Sequence, residues 1–297
     1  MSATKPEAVA GNTILGPKDE AVLRALARYS YLTGRQVCRL LYSSGSLTYV
    51  QSKLKKLERL GYCRRIWLPK RGPFGSAPGV YTLARGGINH LKGMGIDFNQ
   101  RFRPSEQESR SFLFLTHTLE LNDFLISAEL LGRWAPEFKL AAVLHERQLK
   151  QHPVFVKDGD RKRVAVIPDA WLDLRIQGTF QVCIAVELDR GTEEQRKWRR
   201  KVANLVAYAN GPYQSTFETR SLTIAVLTTA GEYRLRELLR WTSAELEELG
   251  ERSRANLFVF AHIPAEAMDA ERVFLTPCWY QPFKPDPVAL LDTTWAT

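Results

Sequence analysis

Two carboxylates at the end of an apolar run, Ile184-Ala185-Val186-Glu187-Leu188-Asp189, have a spacing that could do chemistry. In a strand, residues two apart share a face, so Glu187 and Asp189 project together. Carboxylates on a buried strand need a compensating partner. A divalent cation held by oxygens is one, and such a cation could polarise a phosphodiester. One strand earlier, alternation places Asp169, Trp171, Asp173 and Arg175 on one face and Ala170, Leu172 and Leu174 on the other. In the helix that follows, Lys197, Lys201 and Tyr208 fall along one side. Lys201 borders the apolar stripe of Trp198, Val202 and Leu205 and can turn towards the sheet. The same residues admit a plainer arrangement, with Asp169 and Asp173 solvated and Glu187 and Asp189 paired with Arg190 or Lys201.

The elements that must position these groups follow from periodicity. A long helix is predicted over 110–134. Strands follow over 139–149, 163–176 and 181–189, then a helix over 192–210 with Thr192 and Gln195 as its capping box. A strand over 221–228, a helix over 232–249 and a strand over 256–262 complete the order α-β-β-β-α-β-α-β. Hairpin-linked strands followed by a β-α-β crossover imply a mixed sheet.

The first third has a different character. The chain of 297 residues carries a formal net charge of +10. Residues 1–104 hold 18 Lys and Arg against 5 Asp and Glu, whereas the remainder holds 24 against 27. A polyanion-binding module joined to an electrostatically ordinary partner is expected from that asymmetry. Helix starts are predicted at Gly16-Pro17 and at Thr33, where Gln36 completes a capping box, and a third helix over 46–60 is ended by Gly61. A strand over 62–68, a Gly/Pro-rich tip over 69–79, a strand over 80–83 and a helix over 85–94 follow. This is the order of a winged helix-turn-helix. The third helix buries Val50, Leu54, Leu57 and Leu60 and presents Thr48, Tyr49, Gln51, Ser52, Lys53, Lys55 and Lys56. Polar groups near its start suit base edges in a major groove, and the lysines suit phosphates. Arg64, Lys70 and Arg71 lie on or beside the hairpin, where a wing would meet the DNA backbone.

The four cysteines are scattered, with no C-x-x-C pair. That speaks against a zinc knuckle and for a reduced, cytoplasmic setting. Neither a signal peptide nor a membrane span is expected.

The second half resembles the PD-(D/E)XK nuclease superfamily, with its restriction-endonuclease-like αβββαβ core. Pro168-Asp169 stands where that superfamily has its PD dipeptide, and Glu187 where it has its second acid. Its lysine, two residues on, is Asp189 here. Some members supply the lysine from the next helix, which in this chain is Lys201. The resemblance thus implies Asp169, Glu187, Asp189 and Lys201 as catalytic residues, the three acids being ligands for Mg²⁺ or Mn²⁺ if the site is active.

Over about residues 15–285 the chain is similar to the replication-relaxation family of plasmids and other mobile elements. The stretches that carry this are Leu57–Tyr62, Phe114–Asp123, Ile167–Trp171, Glu187–Thr192 and Thr276–Tyr280. The resemblance implies a mixed α/β chain, with a winged-helix domain over 15–98 and a nuclease-like domain over 110–285. It further implies a protein that binds double-stranded DNA in replication control or relaxation. The alternatives are an active metal-dependent endonuclease or nickase and a transcriptional regulator. Partners compatible with the reading are a second copy of the chain, on a palindromic site, and plasmid replication proteins.

Overall fold

The computed structural model describes residues 15–69, 79–96 and 111–291. The chain falls into two compact units, Met1–Asn122 and Asp123–Thr297.

The first unit contains α1 (Pro17–Tyr29), β1 (Leu32–Thr33), α2 (Gly34–Leu41), α3 (Leu47–Arg59), β2 (Cys63–Trp67), β3 (Gly79–Leu83) and α4 (Arg85–Gly93). Its local signals act as the sequence predicts. Pro17 opens α1, with Asp19 and Glu20 in the first turn. The Thr33 hydroxyl accepts the Gln36 N–H at 3.2 Å, while the Gln36 side chain accepts the Thr33 N–H at 2.9 Å. Helix α3 stops because Gly61 adopts a left-handed conformation, φ 75°. Tyr62 N–H then bonds Leu57 O and Gly61 N–H bonds Glu58 O, which satisfies the last carbonyls of the helix. Strands β1, β3 and β2 form an antiparallel sheet in that order. The core of the unit includes Val22, Leu23, Leu26, Leu32, Val37, Val50, Leu54, Leu57 and Leu83, all fully buried.

The expected boundary between residues 98 and 110 is not where the units divide. The division falls inside α5 (Phe112–Trp134). Leu115 and Leu119 of that helix pack with Tyr31 and Val80. The Gln36 amide donates to Leu119 O at 2.8 Å, and the Asn122 amide donates to Tyr29 O at 3.1 Å and Tyr31 O at 2.7 Å. These bonds tie the start of α5 to the first unit. Leu113, in the first turn of that helix, is 61 % exposed.

In the second unit come β4 (Phe138–His145), α6 (Glu146–Leu149), β5 (Val154–Lys157), β6 (Arg163–Val166), β7 (Ala170–Ile176) and β8 (Phe180–Asp189). After them come α7 (Gln195–Ala209), α8 (Pro212–Phe217), β9 (Thr223–Thr228), α9 (Glu232–Glu248) and β10 (Phe258–His262). The main sheet has the order β10-β9-β8-β7-β4. Its β4-β7-β8 half is antiparallel and its β8-β9-β10 half parallel, so the chain is mixed α/β with a mixed sheet.

Three predicted boundaries move. The strand expected over 163–176 is two strands, since Pro168 has no N–H to continue a ladder. Its first part, β6, pairs with β5 in a separate hairpin. Helix α7 begins at Gln195 with Glu194 as its N-cap, so the Thr192–Gln195 capping box does not form. The end of the expected 139–149 strand is the helical turn α6. On one face of the sheet Trp171, Cys183, Ala185, Ile224, Val226, Phe258 and Phe260 cluster with Trp198, Val202, Leu205 and Tyr208 of α7 and with Leu235 and Leu238 of α9. No helix among the described residues is long and apolar enough to cross a membrane.

Candidate functional site

The residues singled out in the sequence fall on two surfaces, one in each unit. On α3, Thr48, Tyr49, Gln51, Ser52, Lys55 and Lys56 are exposed, opposite the buried Val50, Leu54 and Leu57. Arg64 is exposed on β2. Lys53 departs from the expectation. Its side chain is only 11 % exposed and bonds Asp19 of α1, which is itself buried. Desolvation opposes a charged Asp19, yet Lys53, Lys56 and the Gly16 N–H together hold the carboxyl below its usual range. Lys53 is therefore a tie between α1 and α3 and not an outward-facing cation. Lys70 and Arg71 lie outside the described residues.

The acidic centre is built at the join of β7 and β8. Asp169 immediately precedes β7 and docks on β8 through its backbone, Asp169 N–H donating to Val186 O at 2.9 Å. Its carboxylate accepts the Leu188 N–H at 2.8 Å, which places it beside Glu187. Glu187 is buried. Lys201, in the second turn of α7, reaches back to it, with Nζ 2.8 Å from Glu187 Oε2 and 3.6 Å from Glu193. Burial pushes the Glu187 carboxyl up, while Lys201 pulls it down and Asp169 pushes it up. Desolvation disfavours the Lys201 ammonium, but Glu187, Asp169 and Glu193 outweigh it and hold the lysine charged. Asp169, Glu187 and Lys201 thus come together, and the Glu187–Lys201 pair is one that the plainer arrangement also expects.

Asp189 does not join them. Both of its oxygens are held by Arg234 of α9, Nε to Oδ2 and Nη2 to Oδ1 at 2.8 Å each. Gly191 N–H adds a bond at 2.8 Å and Thr228 Oγ1 lies at 3.3 Å. Glycine is required at 191, where φ is 77° and a Cβ would lie 2.9 Å from that of Ala230. Both Asp189 oxygens are thus occupied, which speaks against that residue as a metal ligand and leaves Asp169 and Glu187 as the two carboxylates that would hold a cation. Among the described residues no group of three or more His, Cys, Asp or Glu is placed to hold a metal ion. Carboxylate oxygens are the donor type that Mg²⁺ takes, so Asp169 and Glu187 are the acids here that could hold one.

The Asp173 carboxylate accepts from Gln181 at 2.9 Å and Arg175 at 3.1 Å and is not solvated alone. Trp171, on the same face, stacks on Phe217 at 3.9 Å. Tyr208 follows Lys201 along α7, but its hydroxyl is buried with no hydrogen-bond partner among the described residues.

The segments that hold this centre, from the leading strands to α7, lie within a region matched by a family model described as replication-relaxation, residues 23–221. The chain belongs to the replication-relaxation family. No curated protein and no solved structure matches it. Arg234, which fixes Asp189, lies beyond the stretch matched to the replication-relaxation family, and spacing does not single it out. No local pattern reveals it, since 45 residues separate the partners. The basic run Arg196-Lys197-Trp198-Arg199-Arg200-Lys201 is plain in the sequence, but averaging charge over the whole second half conceals it.

Proposed function

We propose that this replication-relaxation protein is a DNA-binding protein of a plasmid or other mobile element, acting in replication control. In this reading the first unit is a winged helix whose α3 enters the major groove. The observation that carries it is the α3 face, where Thr48, Tyr49, Gln51, Ser52, Lys55 and Lys56 stand exposed on a helix whose other side is core. Base edges would be met by the polar groups and phosphates by Lys55, Lys56 and Arg64. The local excess of positive charge supports the same conclusion.

One observation favours a second reading, a divalent-cation-dependent endonuclease or nickase. Lys201 comes to Glu187 from α7 and restores the cation that Asp189 fails to supply on the strand. Asp169 and Glu187 would hold Mg²⁺ or Mn²⁺, which supplies Lewis-acid polarisation of a phosphoryl oxygen. Lys201 would place its ammonium against the charge that develops on the phosphate.

Incubation of the purified chain with supercoiled plasmid and Mg²⁺ or Mn²⁺ separates the two. Retarded but uncut plasmid supports the binding protein alone. Nicking that vanishes in Asp169→Ala and Glu187→Ala supports the nuclease. A chain that neither shifts nor cuts DNA at low salt removes both.

A further inference from the structure

Helix α7 begins with five cations in six residues, Arg196, Lys197, Arg199, Arg200 and Lys201. The fold sorts them into two groups. Arg199 turns to α9, where it bonds Glu245 at 2.7 Å and Glu248 at 2.5 Å, and is neutralised there. The other four, with Glu194 and Asn204, line a surface hollow of about 470 Å³. Arg196 and Arg200 are exposed and form no ion pair among the described residues. Among the described residues Lys197 meets only Glu194, at 3.7 Å between two largely exposed side chains. A pair of that kind contributes almost nothing.

Lys201 joins this hollow to the buried centre. It lines the hollow and at the same time bonds Glu187. Among the described residues no aromatic side chain lines the hollow, and Trp198 is fully buried in the core. A base therefore has nothing to stack on. Arginines offer planar forks that match phosphate oxygens, and an asparagine amide adds a neutral donor. Charge without stacking selects the sugar–phosphate backbone.

We infer that the Arg196–Lys197–Arg200–Asn204 hollow of α7 is a second, sequence-independent DNA contact that seats a backbone phosphate next to Lys201 and Glu187. The inference rests on the reading of the chain as a DNA-binding protein and adds a DNA-facing surface in the unit whose overall charge gives no sign of one. The backbone would then be held by both units, the first supplying register and the second delivering a phosphodiester to the acidic centre.

The test uses the full chain and a fluorescein-labelled duplex of arbitrary sequence, with anisotropy read over a range of salt concentrations. In Arg196→Ala/Lys197→Ala/Arg200→Ala the plot of log affinity against log salt should become shallower by about 0.9 for every phosphate no longer neutralised. Affinity at the lowest salt should fall at least about tenfold, as expected when two or three phosphates lose their cations. The three side chains are exposed, so an unchanged thermal melt confirms that the variant is folded. Lys150→Ala/Lys157→Ala/Lys162→Ala removes the same charge elsewhere in the unit and should leave the slope unaltered. Equal slopes for the parent and the α7 variant overturn the inference while DNA binding stands. So does equal flattening by the control. A parent chain that binds no duplex removes the DNA-binding reading and the inference together.

Discussion

Arg234 of α9 grips Asp189 at the end of β8 with both arms of its guanidinium, and Nη2 also donates to Glu193 O at 2.7 Å. Because Thr228 of β9 and Gly191 bond the same carboxylate, four segments meet at one ion pair: the ends of β8 and β9, the lead into α7, and α9. That junction fixes where α7 starts, and hence where Lys201 falls relative to Glu187. Removing one partner of a buried pair leaves the other charge uncompensated. Arg234→Ala should lower unfolding stability by about 3–5 kcal/mol. Arg234→Lys keeps the charge but loses the fork and should fall between the parent and Arg234→Ala. Urea titration followed by tryptophan fluorescence measures both, and a loss in Arg234→Ala no larger than at an exposed arginine such as Arg252 counts against this role.

Lys53 and its neighbours Lys55 and Lys56 should separate by experiment. Lys53→Ala removes the tie to Asp19 and should be felt in stability, with the salt dependence of DNA binding close to that of the parent. Lys55→Ala/Lys56→Ala should do the reverse, making the log–log salt slope shallower by roughly 1.8, that is, about 0.9 per phosphate. A Lys53→Ala variant as stable as the parent but with a flattened slope would show that the lysine faces DNA after all.

The same pair gives a pH dependence. The folded Asp19 carboxyl lies below the unfolded value of about 3.9, since Lys53, Lys56 and Gly16 N–H outweigh its desolvation. For a lowered acid the contribution is complete above the unfolded value and is lost as pH falls through the folded one. The acid limb of a stability–pH curve should therefore be steeper in the parent than in Asp19→Asn, with the difference confined to about pH 4 and below. Superimposable limbs would remove Asp19 from the account.

Helices α1, α2 and α3 are legible in the sequence because caps and apolar period act within a few residues, and β7 and β8 because alternation does. The convergence of Asp169, Glu187 and Lys201 is what the nuclease resemblance implies, with alternation setting the strand faces and Lys201 bordering the apolar stripe of its helix. The role of Lys53 is not legible, because a helical face says nothing of Asp19, 34 residues away on another helix. Alternation puts Asp189 beside Glu187 for the same reason, since it is blind to the true partner, Arg234. The β5–β6 hairpin escapes because two four-residue strands are too short for a period to register.

The acidic centre can be tested without activity. A cation that binds only the folded chain stabilises it by about 2.7 kcal/mol at a hundred times its dissociation constant. For a unit of this size that raises the melting temperature by roughly 5–10 °C. The parent should therefore melt higher in saturating Mg²⁺ or Mn²⁺ than in EDTA. Asp169→Asn and Glu187→Gln should each abolish most of the increment, because they remove the two oxygen donors. Asp189→Asn should melt lower than the parent in every buffer, having lost the grip of Arg234, yet should keep the increment. An increment that disappears with Asp189 would return that residue to the ligand set. A parent with no increment would leave Asp169, Glu187 and Lys201 as a buried ion cluster that orders the join of β7, β8 and α7.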